Sequence, residues 1–389
     1  MQYSAQEIYI ILVRRIVREY YSRETALPSE RDIADEFETS RTVIRGILKR
    51  LETEGYIEMI SPRKRRISPD QPTSIFNPES RMVGIIGMNI PFSVTIPGPV
   101  EKLIVSQRRI WGMFNQLDKL GLSTLNLSVS WPSSMIFDHL ATYKICGLIY
   151  VNENVTLSGE IEEFFYRTLT GRLPIATFGD TERIERSTVP GIERSAADHH
   201  AGPRLLLEHM ASLGIRRALW YYPCRNRSLL VWQAERQAGY EAAAREFGIE
   251  LVPITEVLPI TNEVGSCENF YRYSRLIATV LSRYTQTAEP AGAILVDSDV
   301  AVPYFQRALR ELGMTPGRDI LIFGYDNYYF LSGPFQWEST PPAATIDKND
   351  LRIGEKTAEL IMRRIQAGEE LSDSFREAVP PRLVIPEQP

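Results

Sequence analysis

The chain has 389 residues, a hydrophobic fraction of 43% and a formal net charge of -5. This length allows two or three domains with sizeable cores, and the composition excludes a disordered, fibrous or membrane-embedded chain. Its three cysteines, Cys146, Cys224 and Cys267, are scattered, which argues against disulfides or a metal site and favours a reducing, cytoplasmic location.

The N-terminal segment contains the amphipathic stretch IYIILVRRIVREYY, in which Ile8, Leu12 and Ile16 share one helical face. The stretch is too short, and too often interrupted by arginine, for a signal sequence or a membrane span. We therefore predict that it is the first helix of a small N-terminal domain, and we expect no membrane partner.

Two short helices with a tight turn between them are predicted from residues 27–58, LPSERDIADEFETSRTVIRGILKRLETEGYIE. With 100° of rotation for each residue after a Ser40 N-cap, the apolar side chains from Val43 to Leu51 occupy one side of the second helix. The other side is basic and consists of Arg41, Thr42, Arg45 and Lys49. A basic helix face after such a turn is typical of DNA readers, whereas an ordinary solvated helix mixes acidic and basic side chains.

A two-stranded wing is predicted after this helix, with strands over 56–59 and 65–68. Its tip holds SPRK and belongs to the basic run Arg63, Lys64, Arg65 and Arg66. Residues 40–66 contain eight Lys or Arg against three Glu, so basic charge is concentrated here although the whole chain is acidic. Such a run favours contact with phosphates or the minor groove. A loop that is merely soluble is the alternative.

The same region resembles the N-terminal winged-helix domain of GntR-type transcription regulators. The resemblance rests on LPSER, on SRTxxR in the second helix and on the LxxEGYI exit toward the wing, all within residues 26–57. It implies that certain side chains lie on DNA or next to it: Arg31, Ser40, Arg41, Thr42 and Arg45. Which arginine reads a base is open, because the guanidinium fork fits both phosphate and guanine. The chain departs from the family at the wing tip, where Pro62 replaces a frequent glycine.

A linker is predicted over 69–80, where prolines and polar residues show no periodicity, so that residues 1–68 form one domain. From residue 81 to 389, apolar strands alternate with amphipathic helices. This pattern predicts an α/β fold with doubly wound parallel sheets, and its rhythm repeats after about residue 190, as expected for two lobes with a cleft between them. Strands are predicted over 82–89, 123–129, 147–151, 174–179, 218–223, 250–254, 291–297 and 319–326, and helices over 104–120, 202–213, 235–247 and 302–312.

Residues 81–389 resemble the effector domain of lac-repressor-like regulators, which is related to periplasmic sugar-binding proteins. The order and spacing of LPIATFGD, ERQAGY, AILVDSDVA and ILIFGYDN carry this resemblance. Together the two resemblances imply an arabinose-repressor-type protein, a homodimeric repressor whose binding to a double-stranded DNA operator is controlled by a sugar-like effector. They imply ligand contacts at Asn89, Phe92, Asn152, Asp180, Arg236, Ser298 and Asp326.

The chemistry of these side chains suits a polyol, because carboxylates accept hydroxyl hydrogens, a guanidinium donates to hydroxyl oxygens and an aromatic face covers C–H groups. Two alternatives are open. Asp326 and Arg236 could form an ion pair between the lobes, and the aromatic cluster over 325–337 could pack in a core instead of walling the cleft.

No feature predicts an enzyme or a cofactor. Asp198, His199 and His200 are adjacent, but consecutive side chains diverge and no third ligand has metal spacing. No G-x-S-x-G, P-loop or dinucleotide motif follows a predicted strand. The alternative function is that of a solute-binding protein without a DNA role, which would carry an export signal and have no use for the basic helix.

Overall fold

The computed structural model describes residues 4–17, 21, 26–61, 64–68, 79–87, 105–128, 136, 143, 145–151, 174–178, 192–222, 231–285, 289–367 and 375–387. These residues form an N-terminal helical domain with a two-stranded wing, followed by α/β structure with two parallel sheets. Within these ranges, no helix has the length and apolar character needed to cross a membrane.

The N-terminal domain consists of helices and an antiparallel hairpin: α1 Ala5–Val17, α2 Glu30–Glu36, α3 Arg41–Thr53, β1 Ile57–Ser61 and β2 Lys64–Ile67. Ile8, Leu12 and Ile16 of α1 are buried in one core with apolar residues of α3, which confirms the predicted stripe. Each such side chain contributes about 1.5–3 kcal/mol when it leaves water. The hairpin pairs Ile57 with Ile67, which confirms the predicted wing.

The first lobe, lobe 1, is built on strands β3 Met82–Ile86, β4 Ser123–Leu127, β5 Gly147–Val151, β6 Ile175–Phe178, β7 Ile192–Ala197 and β13 Arg376–Val379. They form one parallel sheet in the order β13-β7-β6-β5-β3-β4. Ile85 and Ile149 of this sheet share a buried core with Ile353. The central strands β3 and β5 are therefore largely apolar, as a sheet covered by helices requires.

Helices α4 Val105–Lys119 and α9 Asp350–Ala367 pack against each other with their backbones in contact. A Cβ atom on Gly112 would lie 2.1 Å from the Leu351 carbonyl oxygen, and one on Gly354 would lie 1.8 Å from the Arg109 carbonyl oxygen. Glycine lowers helix stability by about 1 kcal/mol relative to alanine. These two glycines are therefore explained by the close crossing of the helices.

The second lobe, lobe 2, contains the parallel strands β8 Arg217–Tyr221, β9 Glu250–Ile254, β10 Ala293–Val296 and β11 Leu321–Phe323 in the order β11-β10-β8-β9. Its helices are α5 Ala201–Ser212, α6 Val231–Phe247, α7 Cys267–Thr285 and α8 Val302–Glu311. A short antiparallel pair, β12 Thr345–Asp347 and β14 Arg382–Val384, adjoins β11 through a bridge between Phe323 and Ala344.

The chain passes between the lobes at residues 198–200, 348–349 and 380–381. β7 belongs to lobe 1, and the chain returns there to form α9 and β13. The division expected near residue 190 therefore moves to residue 198, and both lobes contain C-terminal segments. All strands and helices predicted beyond residue 81 are confirmed, with shorter or shifted ends, whereas β7, α7, β12, α9, β13 and β14 are additional.

Candidate DNA interface and ligand site

Helix α3 has a buried apolar side and an exposed basic side. Ser40 caps its first turn, because its Oγ accepts a hydrogen bond from the Val43 N–H at 3.3 Å. The apolar side is buried and consists of Ile44, Ile47, Leu48 and Leu51. The polar side is exposed and consists of Arg41, Thr42, Arg45 and Lys49. The predicted separation is confirmed, so these four side chains are accessible to a binding partner.

Glu30, the first residue of α2, joins α2 to α3 and to the wing. Its Oε2 lies 3.0 Å from Arg45 Nη2, and its Oε1 lies 3.4 Å from Arg65 Nη1. Its hydrogen bond with Arg45 is the main reason why the pKa of Glu30 lies below its usual value. A carboxylate therefore positions Arg45 before any partner arrives.

Arg65 differs from the other basic residues of the wing because only 13% of its side chain is exposed. Besides Glu30, it contacts Glu52, whose Oε2 is 3.6 Å from Arg65 Nε. These contacts attach the wing to both α2 and α3. Lys64, the next residue toward the tip, is exposed.

Arg31 is 71% exposed and lies 3.6 Å from Asp35 on the next turn of α2. The pair is of a kind that contributes little at a surface, so the guanidinium can exchange this partner at small cost. Pro62 and Arg63, at the wing tip, lie outside the described residues.

Arg236 on α6 is buried in lobe 2 with 3% of its surface exposed. Its guanidinium carbon lies 3.9 Å from the ring centre of Tyr325 and 4.6 Å from that of Trp232. Nη1 donates a hydrogen bond to the Asp297 carbonyl oxygen at 3.0 Å. Among the described residues, no carboxylate forms an ion pair with Arg236. The charge is thus held by aromatic rings and one carbonyl.

Asp326 follows β11 in a turn with a positive φ of 96°, which is unusual for any residue except glycine. Its Oδ1 lies 2.9 Å from Lys348 Nζ. Burial raises the pKa of Asp326, but Lys348 and then Arg236 lower it by more, so the carboxyl titrates below its usual value. Asp326 is therefore ionised at neutral pH. The alternative ion pair with Arg236 is wrong, because Lys348 is the partner and both Asp326 and Arg236 belong to lobe 2.

Asp299 is a fully buried carboxyl that fixes the loop after Asp326. Its Oδ2 accepts hydrogen bonds from the N–H groups of Tyr328 at 2.9 Å and Tyr329 at 3.3 Å, and the Thr345 hydroxyl donates to Oδ1 at 2.9 Å. A Cβ atom on Gly324 would lie 1.9 Å from Oδ1. Burial, and then the charge of Asp326, raise the pKa of Asp299 to about 8. Its oxygens are occupied within the protein, so its role is to hold the loop.

Ser298 precedes Asp299 and is half-buried, with its Oγ 3.5 Å from the Tyr328 hydroxyl. Its hydrogen bond with Asp326 also helps to lower the pKa of that carboxyl. The structure thus brings together the three predicted ligand residues that it describes, Arg236, Ser298 and Asp326.

The sequence profile of the family described as bacterial regulatory proteins, gntR family, matches residues 4–64. A profile of the periplasmic-binding-protein-like domain matches residues 207–386. The chain joins a GntR-type helix-turn-helix domain to a periplasmic-binding-protein-like domain.

Solved structures with the same fold include a complex of the transcriptional regulator CelR with cellobiose. Its sequence is 15% identical to this chain, and the superposition covers 89% of both chains with a TM-score of 0.52. A LacI-family regulatory protein from Chloroflexus aggregans is 18% identical, with 78% of this chain and 97% of that chain covered and a TM-score of 0.54. A probable maltose operon repressor from Staphylococcus is 14% identical, with 79% of this chain and 98% of that chain covered and a TM-score of 0.52. No curated protein sequence matches the chain significantly.

In the GntR-type domain, the exposed predicted contacts are Arg31, Ser40, Arg41, Thr42, Arg45, Lys49 and Lys64, whereas Arg65 is largely enclosed. In the binding-protein-like domain, four predicted ligand residues lie outside the described residues: Asn89, Phe92, Asn152 and Asp180. Within the described part of the chain, no group of three or more His, Cys, Asp or Glu has the arrangement of a metal site.

Two charged residues of the ligand site were not apparent in the sequence. Lys348 lies at the lobe crossover after β12, and Arg108 on α4 of lobe 1 donates to the Asn327 carbonyl oxygen at 3.3 Å. Neither residue was among the predicted ligand contacts. The fold brings both to the turn that contains Asp326.

Proposed function

We propose that the protein is a sequence-specific transcription regulator of carbohydrate metabolism genes, controlled by a small carbohydrate bound between its lobes. The observation that carries this proposal is the exposed basic side of α3 in a GntR-type domain. The same chain supplies a two-lobed domain of the kind that binds small ligands. In this proposal residues 1–68 bind DNA, 69–80 form the linker and 81–389 bind the effector and dimerise.

In DNA binding, α3 lies in the major groove, where Arg41 and Arg45 reach base edges or phosphates. Lys49, Arg31 and the wing lysine Lys64 neutralise phosphates, which gives affinity without sequence preference. Arg63 and Arg65 extend the same basic surface. A homodimer presents two copies of α3 to half-sites about one helical turn apart.

The effector lies against Arg236, Ser298 and Asp326. The ionised Asp326 accepts hydrogen bonds from sugar hydroxyls, while the guanidinium and the serine hydroxyl donate to ring or hydroxyl oxygens. Asn89, Phe92, Asn152 and Asp180 complete the site in this proposal. The fold relatives, which include a regulator in complex with cellobiose and a maltose operon repressor, support the carbohydrate class.

Effector binding brings the two lobes together through the three crossovers and changes the spacing of the paired DNA readers. The direction of control is repression that the carbohydrate relieves. The protein catalyses no reaction in this proposal and acts in the cytoplasm, where its operator is located.

The DNA-binding role is tested with the full chain and duplexes selected from a random pool. We expect the Arg41→Ala/Arg45→Ala variant to lose at least about thirtyfold in affinity for the selected duplex, because each bidentate arginine contributes about 1–3 kcal/mol. Arg204→Ala is the matched control, since Arg204 is an exposed arginine of lobe 2 paired with Glu246. Undiminished DNA retention by the double variant would contradict the proposal.

The effector role is tested by the thermal midpoint of the full chain with pentoses, hexoses and disaccharides, because a bound ligand raises the midpoint by mass action. Ser298→Ala removes one half-buried hydroxyl and should weaken the response to the best carbohydrate by several-fold. Ser212→Ala on α5 is the control. A response that is identical in wild type and Ser298→Ala would place the carbohydrate elsewhere.

A further inference from the structure

Three side chains share one face of helix α6 and become more accessible toward its N-terminal end. Trp232, Arg236 and Tyr240 are spaced by four residues, so they lie one above the other on the helix surface. Tyr240 is fully buried, Arg236 is 3% exposed and Trp232 is half-buried. Trp232, in the first turn of α6, is therefore the member of this face that a ligand meets first.

The first turn of α6 lies at the edge of the lobe 2 sheet where predicted ligand residues also lie. α6 follows β8, which pairs in parallel with β10, and β10 pairs in parallel with β11. Ser298 follows the end of β10, and Asp326 follows the end of β11. In open parallel sheets, ligands bind outside the carboxyl ends of the strands. Trp232 therefore belongs to the same edge as Ser298 and Asp326.

Two contacts hold the indole ring of Trp232 at this edge. The guanidinium carbon of Arg236 lies 4.6 Å from its ring centre, and the imidazole of His199, a residue of the lobe crossover, lies 5.9 Å from it. The same guanidinium carbon lies 3.9 Å from the ring centre of Tyr325, so Arg236 is held between two rings. An indole that is already fixed by its neighbours loses little rotamer freedom when a ligand binds.

Tyr328, a second half-buried aromatic residue of the candidate site, makes different contacts. Its hydroxyl lies 3.5 Å from the Ser298 Oγ, and its backbone N–H is bonded to Asp299. Tyr328 thus brings a polar group to the site, whereas Trp232 brings a large apolar ring. A cyclic sugar has a face of C–H groups that packs on such a ring, while its hydroxyls project from the rim.

We propose that Trp232 is a further effector contact and that its indole ring is the surface on which the C–H face of a cyclic sugar stacks. This inference rests on the proposed function and specifies the form of the carbohydrate at the same site. The ring hydroxyls then use Arg236, Ser298 and Asp326. An open-chain polyol has similar hydroxyl groups but no flat C–H face, so Trp232 discriminates against it.

The test compares cyclic sugars with their own alditols in the full chain: glucose with glucitol, galactose with galactitol and xylose with xylitol. Half-saturating concentrations are taken from the thermal midpoint. The wild-type ratio also includes the cost of ordering an open chain, so the decisive quantity is the change in this ratio on substitution. Trp232→Leu should lower the alditol-to-sugar ratio at least about threefold, as expected when about 30 Å² of C–H surface is no longer removed from water.

Control variants separate stacking from a positioning role. Trp337→Leu makes the same substitution at a half-buried tryptophan of lobe 2 that stacks on Phe270 of α7, and it should leave the ratio unchanged. Trp232→Phe keeps an aromatic ring and should retain most of the ratio. If Trp232 only positioned Arg236, Trp232→Leu would weaken the binding of sugar and alditol equally.

An alditol-to-sugar ratio that is the same in Trp232→Leu and the wild type would overturn this inference and leave the carbohydrate effector intact. Saturating sugar should also change the intrinsic tryptophan emission of the wild type, and a change of the same size in Trp232→Phe would equally contradict the stacking. The absence of any midpoint shift with sugars in the wild type would overturn the carbohydrate effector itself, and this inference with it. Retention of the selected duplex is scored separately, so these failures are distinguishable.

Discussion

Glu30 and Arg45 form an ion pair between the two helices of the helix-turn-helix, with 3.0 Å between the carboxylate oxygen Oε2 and Nη2. A partner that recruits Arg45 must therefore replace a carboxylate or share the guanidinium with it. A guanine edge offers two acceptors in the plane of the guanidinium and compensates better than a single phosphate oxygen. We therefore expect the pair to favour specific over nonspecific DNA.

We predict that Glu30→Gln increases the affinity for a nonspecific duplex by about fivefold, because the change removes a negative charge beside the phosphates and frees Arg45. Specific affinity should rise less, so the specific-to-nonspecific ratio falls. Titrations of full-length protein with both duplexes at constant salt measure the ratio. Glu36→Gln is the control, since Glu36 pairs with Arg15 outside α3; an equal response of the two variants would refute the role of Glu30.

Ser40 combines a helix cap with a predicted DNA contact, and two substitutions separate these roles. We predict that Ser40→Ala costs about 1 kcal/mol of stability, whereas Ser40→Gly costs only a few tenths, because glycine is itself a good N-cap. Thermal unfolding and DNA titration of both variants provide the measurement. If DNA affinity falls equally in both, the hydroxyl contacts DNA; if it follows stability, Ser40 acts only through the cap.

The strands with continuous apolar sequence were predictable, because a parallel sheet covered on both faces requires such runs. β7 was not, since its sequence is IERSAA and its buried Glu193 and Ser195 carry polar groups. Their hydrogen bonds go to distant residues: the Phe375 N–H donates to Glu193 Oε2 at 2.7 Å, and the Ser195 hydroxyl donates to the Ile353 carbonyl at 2.9 Å. Partners that far along the chain leave no local signal.

In the candidate ligand site, Arg236, Ser298 and Asp326 were predicted from motifs, but their electrostatic environment was not. Lys348 reaches Asp326 only because the chain crosses between the lobes directly after β12. The same limit applied to Arg65, which belongs to a basic run in sequence and lies between two glutamates in space. The residue types were readable from sequence, whereas the ion-pair partners depended on tertiary structure.

Gly354 marks the closest approach of α9 to α4. We predict that Gly354→Ala lowers the free energy of unfolding by at least about 1–3 kcal/mol, the usual cost of overpacking, because the added Cβ would meet backbone that has little freedom to move. The Arg109 carbonyl oxygen would be 1.8 Å away and the Met113 nitrogen 2.7 Å away. Chemical denaturation of the full chain measures the loss.

Gly46 is the matched control, because it also lies in a helix and a Cβ there would meet nothing within 4 Å. Gly46→Ala should stabilise the N-terminal domain by about 0.5–1 kcal/mol, because alanine has less backbone entropy than glycine in the unfolded chain. Destabilisation by both variants, or by neither, would contradict the explanation based on helix contact.

The buried carboxyls near Asp326 make stability depend on pH. Burial raises the pKa of Asp299 from 3.8 to about 8 and that of Asp297 from 3.8 to about 7, with Arg236 opposing the latter shift. A carboxyl with a raised folded-state pKa binds its proton more tightly in the folded chain, so it stabilises the fold at low pH and loses this contribution as pH rises through the folded value. We predict that unfolding free energy falls between about pH 5 and pH 8.

Asp299→Asn should flatten this dependence, because the amide does not titrate and its oxygen can still accept from the Tyr328 N–H while its NH₂ faces the Thr345 hydroxyl. Chemical denaturation of the full chain across this pH range measures the slope. Asp319→Asn is the control. The hydrogen bond with Arg318 is the main cause that lowers the pKa of this exposed carboxyl. Asp319 therefore contributes stability throughout this pH range and loses the contribution only at lower pH. A slope that is unchanged in Asp299→Asn would mean that Asp299 is ionised throughout, stabilised by the hydrogen bonds that it accepts.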